Sequence, residues 1–249
     1  MTIKKEINAG IIIIGNEVLS GRTKDINTST IALWLNPLGI HVKEVRVIPD
    51  DENIIIDSVN IFRKKFNYVF TTGGIGPTHD DITAESIAKA FQLEYGFHKE
   101  AYKILENYYK PGEFTEGRQK MAKMPTNASL ILNPTSGAPG FYVENVFCLP
   151  GVPSILKSML GGLKNNIVGG KPILSLTINL KTVESEIAKS LSEVQNKNKE
   201  VEIGSYPFFR AGKLGVSIVI RSENQSKIDS CNLQILKFVN EKKISIVDL

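Results

Sequence analysis

Apolar residues in the first two thirds of the chain alternate between short β-rich runs and stretches with helical spacing. Residues 8–14 (NAGIIII) form a continuous apolar run, residues 41–48 alternate, and residues 68–72 (YVFTT) form a third run. A continuous run is typical of a strand covered on both faces. Helical patterns at 25–35 and after Asp51 predict crossover connections between parallel strands. We therefore expect an α/β fold with a mostly parallel sheet between two helical layers.

The later pattern predicts more elements of this domain and then a change of organisation. After residue 80 come a helix (AESIAKAF), two helical stretches within 99–124, three short strands (LIL, GFYV, VFCL) and a helix at 154–163. Residues 161–172, GGLKNNIVGGKP, have the composition of a linker. We place the boundary there, with one domain at 1–168 and another at 169–249. The second segment reads β-α-β-β-α, which predicts a smaller α+β domain.

The amino-acid composition is that of a globular protein and argues against zinc, nucleic-acid and membrane binding. The 249 residues are 42% hydrophobic and 22% charged, as in ordinary globular proteins. Cys148 and Cys231 lie far apart without a CxxC motif, so we expect reduced, buried thiols and no zinc site. The basic residues behind the net charge of +4 are scattered, which argues against a nucleic-acid partner. No apolar stretch of about 18 residues and no signal-peptide pattern occurs, so we expect no membrane partner and a cytoplasmic protein.

The strongest chemical signal is TTGGIGPTHDDIT, residues 71–83, between the third strand and a helix. Its glycines permit backbone conformations that let main-chain N–H groups approach an anion, and the helix points its N-terminus at the loop. In open α/β sheets ligands bind beyond the carboxyl ends of the strands. The motif predicts a phosphate-binding loop; the alternative is a packing turn without a ligand. The predicted ligand-binding residues here are Thr72, Gly73, Gly74, Gly76, Pro77 and Thr78.

Two adjacent carboxylates, Asp80 and Asp81, follow the glycines. They would repel a phosphorylated ligand unless a cation lay between them. Mg²⁺ or a similar divalent metal is held by one or two carboxylates together with ligand phosphates. We therefore predict that Asp80 and Asp81 are metal ligands and catalytic acids. The alternative for Asp81 is a simple cap on the following helix.

Other polar loops follow the predicted strands. GNEVLSG, residues 15–21, comes after the first strand, and VIPDD ends the second strand at Asp50. The carboxyl ends of parallel strands meet at one edge, so these groups should converge, although helix capping also explains the acids. For the loops that contain Asn133 and Pro150, the alternative is that these residues only form turns and bind no ligand. We predict a catalytic role for Asp50, and ligand contacts from Gly15, Glu17, Asp25, Asn27, Asn133, Ser136, Gly137, Pro150, Gly151 and Pro153.

In combination, TTGGIGPTHDDIT, GNEVLSG, VIPDD, ASLILNPTSGAPGF and CLPGVP resemble the molybdenum-cofactor biosynthesis (MoCF, MogA/MoaB-like) domain family. The match is to its CinA-like branch and spans about residues 6–165. The trailing unit with IGSYP is similar to the small domain of that branch and to the molybdopterin-binding-like region of eukaryotic FAD synthases. The resemblance implies a three-layer α/β/α first domain. In the cofactor-synthesis members, the aspartate after the glycine loop aligns with Asp81, and the aspartate after the second strand aligns with Asp50.

The resemblance also implies an activity. It points to a hydrolase, a metal-dependent nucleotide pyrophosphatase acting on ADP-ribose- or FAD-like dinucleotides. The alternatives are molybdopterin binding or adenylylation, and a non-catalytic ligand-binding module. The expected partner is a small-molecule nucleotide or pterin, and the expected assembly is a homodimer or homotrimer. Because no deamidase-like or PAPS-reductase-like segment follows, we expect neither nicotinamide mononucleotide deamidation nor FAD synthesis.

Overall fold

The computed structural model describes residues 6–210 and 212–248. The chain divides into two compact units, Met1–Gly170 and Lys171–Leu249. Among the described residues, no helix combines the length and the apolar composition that crossing a bilayer requires.

The first unit contains eight strands and seven α-helices within its described residues. The strands are β1 (Asn8–Ile14), β2 (His41–Ile48), β3 (Tyr68–Thr72), β4 (Tyr95–Phe97), β5 (Lys123–Pro125), β6 (Ser129–Ile131), β7 (Gly140–Val143) and β8 (Val146–Leu149). The helices are α1 (Asn16–Leu19), α2 (Asn27–Leu35), α3 (Glu52–Lys65), α4 (Thr83–Phe91), α5 (Lys99–Tyr108), α6 (Glu116–Lys120) and α7 (Pro153–Leu160), with 3₁₀ turns at Asn36–Leu38 and Gly161–Asn166.

Six of these strands form one sheet in the order β2-β1-β3-β8-β7-β6. The first four are parallel to one another, whereas β7 and β6 are antiparallel additions at one edge. Strands β4 and β5 form a separate antiparallel pair. The connection between β7 and β8 is only two residues long, and only antiparallel strands can be joined by such a tight turn. The predicted mostly parallel α/β architecture is confirmed.

Helices cover both faces of this sheet, and strand β1 shows why. Its alternate residues point to opposite faces. Ile12 and Ile14 join a buried cluster with α3 and α4, whereas Ile11 and Ile13 join another with α2 and α7. The run NAGIIII is continuous because both of its faces are buried, as the sequence predicted.

Three predicted boundaries differ from the structure. Helix α2 begins at Asn27, after Asp25 has accepted a hydrogen bond from the Asn27 N–H at 2.9 Å. The second helical stretch of 99–124 ends at Lys120, because the chain then turns to pair β5 with β4. Helix α7 ends at Leu160 and continues as a 3₁₀ turn. The first two differences arise from contacts that sequence periodicity does not encode.

The second unit follows the predicted β-α-β-β-α order. Its elements are β9 (Leu174–Leu180), α8 (Glu184–Lys197), β10 (Glu202–Arg210), β11 (Lys213–Ser222) and α9 (Gln225–Glu241). The three strands form an antiparallel sheet in the order β10-β11-β9. Ile187 of α8 and Ile235 of α9 pack with Ile218 of β11 in a core of its own. This unit is the smaller α+β domain that the pattern predicted.

Each unit contains one of the two cysteines of the chain. Cys148 lies in β8 and Cys231 in α9, and both are free and fully buried. Burial raises the pKa of both thiols, that of Cys148 to about 12. The expectation of reduced, buried thiols is confirmed.

Candidate functional site

A cavity of about 540 Å³ opens at the carboxyl ends of β1, β3 and β8. These strands are neighbours in the sheet, so the loops that follow them meet at one edge. The volume is within the range of small-molecule sites. We call it the glycine-loop cavity. It is lined by Glu17, Thr23, Gly73, Gly74, Ile75, Gly76, Pro77, Asp81, Met121, Asn133, Ser136, Ala138, Pro139, Pro150, Gly151, Val152, Pro153 and Ile155.

The glycine loop has a backbone that only glycine adopts readily. Gly73 has φ 105° and Gly74 has φ 66°. A Cβ on Gly73 would collide with the carbonyl of Ile14, and one on Gly74 with the hydroxyl of Thr83. The Thr83 N–H donates to the Gly74 carbonyl at 2.9 Å, which ties the loop to the start of α4. The loop is therefore held rigidly between β1 and α4.

Main-chain N–H groups of this loop differ in what they bind. The Gly73 N–H donates to the Leu149 carbonyl at 3.1 Å, so it is already used within the fold. For the N–H groups of Gly74, Ile75 and Gly76, the described part of the chain supplies no acceptor. Successive unpaired N–H groups beside a helix N-terminus are a typical anion site. Of the glycines expected to contact phosphate, Gly73 uses its N–H within the fold, whereas the N–H groups of Gly74 and Gly76, like that of Ile75 between them, have no acceptor in the described chain.

Asp81 lines the cavity and is held by Thr78. Its Oδ2 accepts hydrogen bonds from the Thr78 N–H at 2.7 Å and from the Thr78 hydroxyl at 2.5 Å. Gly76 leaves room for this carboxylate, since a Cβ there would lie 2.8 Å from Asp81 Oδ2. Helix α4 begins at Thr83, with no side-chain hydrogen bond at its N-cap, Ile82. Asp81 therefore closes its own turn and leaves Oδ1 for another partner.

Asp80 takes a different position from its neighbour. It is exposed and lies outside the cavity lining. The Thr78 hydroxyl and then the N–H of Asp80 itself lower the pKa of the Asp80 carboxyl below its ordinary value of 3.8. One hydroxyl proton serves one acceptor at a time, and the defined hydrogen bond goes to Asp81. The two adjacent acids are thus unequal, and only Asp81 faces the cavity.

The acidic loops after β1 and β2 contribute one carboxylate to the cavity, that of Glu17. Asp50 Oδ2 accepts the Asn16 N–H at 2.9 Å at the start of α1, and Asp50 does not line the cavity. Asp25 Oδ1 accepts the N–H groups of Asn27 and Thr28 at 2.9 and 3.3 Å. These hydrogen bonds satisfy N–H groups that helix starts leave without partners.

Asn27 and Thr72 lie behind the cavity wall and join its loops. The Asn27 Nδ2 donates to the Thr72 hydroxyl at 2.9 Å and to the Gly151 carbonyl at 2.8 Å. The Thr72 hydroxyl in turn donates to the Pro150 carbonyl at 3.1 Å. Both side chains are buried. They position the loop after β8 against the end of β3, and they do not line the cavity.

Asn133 shapes the opposite wall. Its Nδ2 donates to the Ser136 hydroxyl at 2.7 Å and to the Ala138 carbonyl at 2.9 Å. Its Oδ1 accepts the N–H groups of Thr135 and Ser136 at 3.0 and 3.1 Å. All four of its hydrogen-bonding positions are occupied, so Asn133 fixes the loop from which Ser136 faces the cavity.

The structure brings together most of the predicted binding residues. Those in the cavity lining are Glu17, Gly73, Gly74, Gly76, Pro77, Asp81, Asn133, Ser136, Pro150, Gly151 and Pro153. Those outside the lining are Gly15, Asp25, Asn27, Asp50, Thr72, Thr78, Asp80 and Gly137.

Seven lining residues were not among the predicted site residues: Thr23, Ile75, Met121, Ala138, Pro139, Val152 and Ile155. Ile75 lies within the glycine motif and Ile155 in the first turn of α7, so their neighbours gave a signal. Met121 comes directly after α6, and no motif marks it. These mostly apolar residues contribute a hydrophobic wall that motifs do not reveal.

The charges of the cavity fit a divalent cation only in part. No lysine, arginine or histidine of the described residues lines it, and Glu17 and Asp81 are both acidic. Within 6–210 and 212–248 there is no group of three metal-binding side chains. Mg²⁺ usually binds one or two carboxylates and completes its shell with waters and substrate phosphates. Asp81, with Oδ1 unoccupied by Thr78, fits such an ion when a phosphorylated ligand shares it.

The chain is similar to known protein families over most of its length. Residues 10–168 match the family described as probable molybdopterin binding domain, and residues 172–248 match the FAD synthase middle domain. A curated protein from Archaeoglobus fulgidus is 34% identical over 234 residues, which cover 94% of this chain and 98% of that protein.

Solved structures are similar to the first unit. The crystal structure of the protein CinA, with unknown function, from Thermoplasma acidophilum matches with TM-score 0.60 and 33% identity. The match covers 65% of this chain and 99% of that one. The tungsten cofactor synthesizing protein MoaB from Pyrococcus furiosus matches with TM-score 0.43 and 26% identity over 65% of this chain and 92% of that one. The resemblance inferred from the motifs is confirmed.

Proposed function

The chain belongs, through residues 10–168, to the family of probable molybdopterin binding domains, and from that premise we propose a metal-dependent nucleotide pyrophosphatase. Its substrates are ADP-ribose- or FAD-like dinucleotides. One observation carries the proposal: the unpaired N–H groups at Gly74–Gly76 lie beside the carboxylate of Asp81 in one cavity. Amides bind phosphate oxygens, and a carboxylate next to them recruits a cation.

The roles of the residues follow from these contacts. The N–H groups of Gly74, Ile75 and Gly76 bind oxygens of one phosphate, and they require no reorganisation because the loop is fixed between Ile14 and Thr83. Thr78 orients Asp81 through two hydrogen bonds, which leaves Asp81 Oδ1 to share the cation with the ligand. Glu17 supplies a second acid in the cavity lining.

Hydrolysis needs a water molecule and a stabilised leaving phosphate. Water adds to one phosphorus, the bridging P–O bond breaks, and two phosphomonoesters leave, AMP and ribose 5-phosphate from ADP-ribose. A divalent ion, when bound, supplies charge neutralisation and a more acidic water. The chain itself orients the phosphate and keeps the carboxylate of Asp81 in place.

The experiment is to incubate the protein with ADP-ribose and with FAD, and to follow the products by chromatography. We expect cleavage with Mg²⁺ and none with EDTA. Asp81→Ala should lower turnover by about 100-fold or more, because one ligand of the cation is lost. Asp57→Ala, an exposed acid on α3, is the matched control and should keep full turnover. Unchanged turnover in Asp81→Ala would contradict the proposal.

A second candidate, binding or adenylylation of molybdopterin, is favoured by the family match and by the apolar part of the wall. Ile75, Met121 and Ile155 offer apolar contacts for a pterin ring. Calorimetry with a pterin and with ADP-ribose separates the two candidates. Tight binding of the pterin without cleavage of any dinucleotide would favour the second.

A further inference from the structure

A second cavity lies directly beside the glycine-loop cavity. Its volume is about 530 Å³, and the two share Pro77 as a common wall. We call it the basic cleft; its lining includes Thr78, His79, Phe97, Glu116, Lys120 and Lys123. Nothing in the proposed chemistry of the glycine-loop cavity uses the charged and aromatic side chains of this cleft.

The charges of the two cavities are opposite. Glu17 and Asp81 line the glycine-loop cavity. The basic cleft has two lysines and His79 against one acid, Glu116. A dinucleotide carries its negative charge on the linked phosphates, so one phosphate on the glycine-loop amides leaves the rest to be neutralised elsewhere. The basic cleft, which shares a wall with the first cavity, supplies cations for that purpose.

The wall between the cavities is also the segment that holds the candidate catalytic acid. Thr78 lies on the side of the basic cleft, yet its N–H and hydroxyl both donate to Asp81, which faces the other cavity. Lys120 donates to the Thr78 carbonyl and fixes this segment from the cleft side. A molecule whose pyrophosphate bond lies at Asp81 would extend into both cavities if its two halves passed on opposite sides of Pro77.

Phe97 gives the basic cleft a surface for a flat ring. The side chain is 46% exposed, although it stands on the short strand β4. Tyr102 holds the ring edge-on, with ring centroids 5.4 Å apart, and the Nζ of Lys123 lies 4.9 Å from the centroid. An exposed aromatic ring that is fixed by its neighbours and flanked by a cation matches a base with an anionic group attached.

We propose that the basic cleft binds the second nucleotide-like half of the dinucleotide whose phosphate occupies the glycine loop. The flat ring of that half lies on Phe97, and its anionic oxygens bind Lys123. This inference rests on the proposed function and assigns the substrate class: a molecule with two halves joined by a pyrophosphate, and not a mononucleotide.

The test is calorimetry on the full chain in EDTA, where no hydrolysis is expected, using ADP-ribose and inorganic pyrophosphate as ligands. Phe97→Leu keeps an apolar side chain against Tyr102, and Lys123→Met keeps the length of the side chain. Each should weaken ADP-ribose binding by about tenfold, since a stacked base or a paired phosphate is lost. Pyrophosphate has no ring to stack on Phe97, so Phe97→Leu should keep its affinity within about twofold.

Matched controls are Phe209→Leu, an exposed aromatic residue of the second unit, and Lys64→Met, an exposed lysine of α3. Both should bind ADP-ribose as the unsubstituted chain does. If Phe97→Leu and Lys123→Met also bind ADP-ribose normally, the inference is overturned while the proposed hydrolysis stands. If they lose ADP-ribose affinity but the unsubstituted chain cleaves no dinucleotide, the cleft assignment holds and the hydrolase proposal fails.

Discussion

The glycine loop after β3 and the acidic loops after β1 and β2 occupy the same edge of the sheet, yet they differ in whether their polar groups are hydrogen-bonded within the chain. In the glycine loop the N–H groups of residues 74–76 lack acceptors within the described chain, and Asp81 faces a cavity. In the acidic loops Asp25, Asp50 and Asp51 each accept main-chain N–H groups at helix starts. Position at a strand end does not by itself make a carboxylate available.

The reason lies in the segment that connects each strand to its helix. Every helix start presents N–H groups without intrahelical partners, and a nearby Asp satisfies them. Helix α4 is different, because its first N–H, that of Thr83, is taken by the Gly74 carbonyl. The Gly74 carbonyl accepts a helix-start N–H of the kind that carboxylates accept in the other loops. Asp81 therefore remains available for another partner.

The sharpest test of this difference is a pair of isosteric changes measured by turnover. Asp81→Asn should reduce dinucleotide hydrolysis by about 1000-fold, since a charged ligand of the cation becomes neutral. Asp50→Asn should change turnover by less than about fivefold, because the amide oxygen still accepts the Asn16 N–H. Equal losses in the two variants would abolish the distinction between the loops.

Two glycines test the rigidity of the loops. Gly73→Ala should lower the free energy of unfolding by about 3 kcal/mol, because a positive φ is combined with a collision against the Ile14 carbonyl. Gly21→Ala, in the loop after α1, has φ 73° but no atom within 4 Å of the new Cβ. It should cost about 1 kcal/mol. Chemical denaturation measures both, and equal costs would show that the glycine loop can relax.

The capping role of the acidic loops predicts a loss of stability without a loss of activity. Asp51→Ala removes the acceptor of the Ile54 N–H, a hydrogen bond of 3.0 Å, and should cost about 1 kcal/mol. Asp57→Ala, further along α3, should be nearly neutral. Turnover of both variants should match that of the unsubstituted chain at about 25 °C, well below the unfolding transition. A change of Kd or turnover in Asp51→Ala would show that the loop after β2 takes part in ligand binding or catalysis.

The smallest effect concerns Asp80. The Thr78 hydroxyl and the N–H of Asp80 lower the pKa of its carboxyl below 3.8. A lowered pKa in the folded state means that the carboxylate stabilises the fold above its unfolded pKa and loses this effect as pH falls through the folded value. Because the group is exposed, the melting temperatures of the chain and of Asp80→Asn should differ slightly at about pH 7 and converge as the pH falls through the lowered pKa. A carbon NMR titration of Asp80 checks the direction.

Much of the fold could be predicted from the sequence, because burial on two faces sets the apolar run of β1 and helical spacing sets the pattern of α3 and α4. The glycine loop could be predicted since positive φ values select glycine at 73 and 74. The direction of each carboxylate could not be predicted. Asp50 turns toward the Asn16 N–H, which lies 34 residues earlier, and only the folded chain brings the two together.

Met121, in the apolar wall, had no sequence signal for a related reason. Met121 reaches the cavity because α6 and β5 fold back toward the glycine loop, and its local pattern is that of any helix end. The same holds for Phe97, whose exposure depends on the pairing of β4 with β5.

Each buried thiol can serve as a probe for the unfolding of the unit that contains it. With its pKa near 12, Cys148 presents almost no thiolate at neutral pH, and its place in the central sheet shuts out reagents. Alkylation of Cys148 therefore reports opening of the first unit, and alkylation of Cys231 reports opening of the second. Mass spectrometry of the two labelled peptides would follow both unfolding reactions in a single sample. It would also show how far a bound dinucleotide slows the opening of the first unit without changing that of the second.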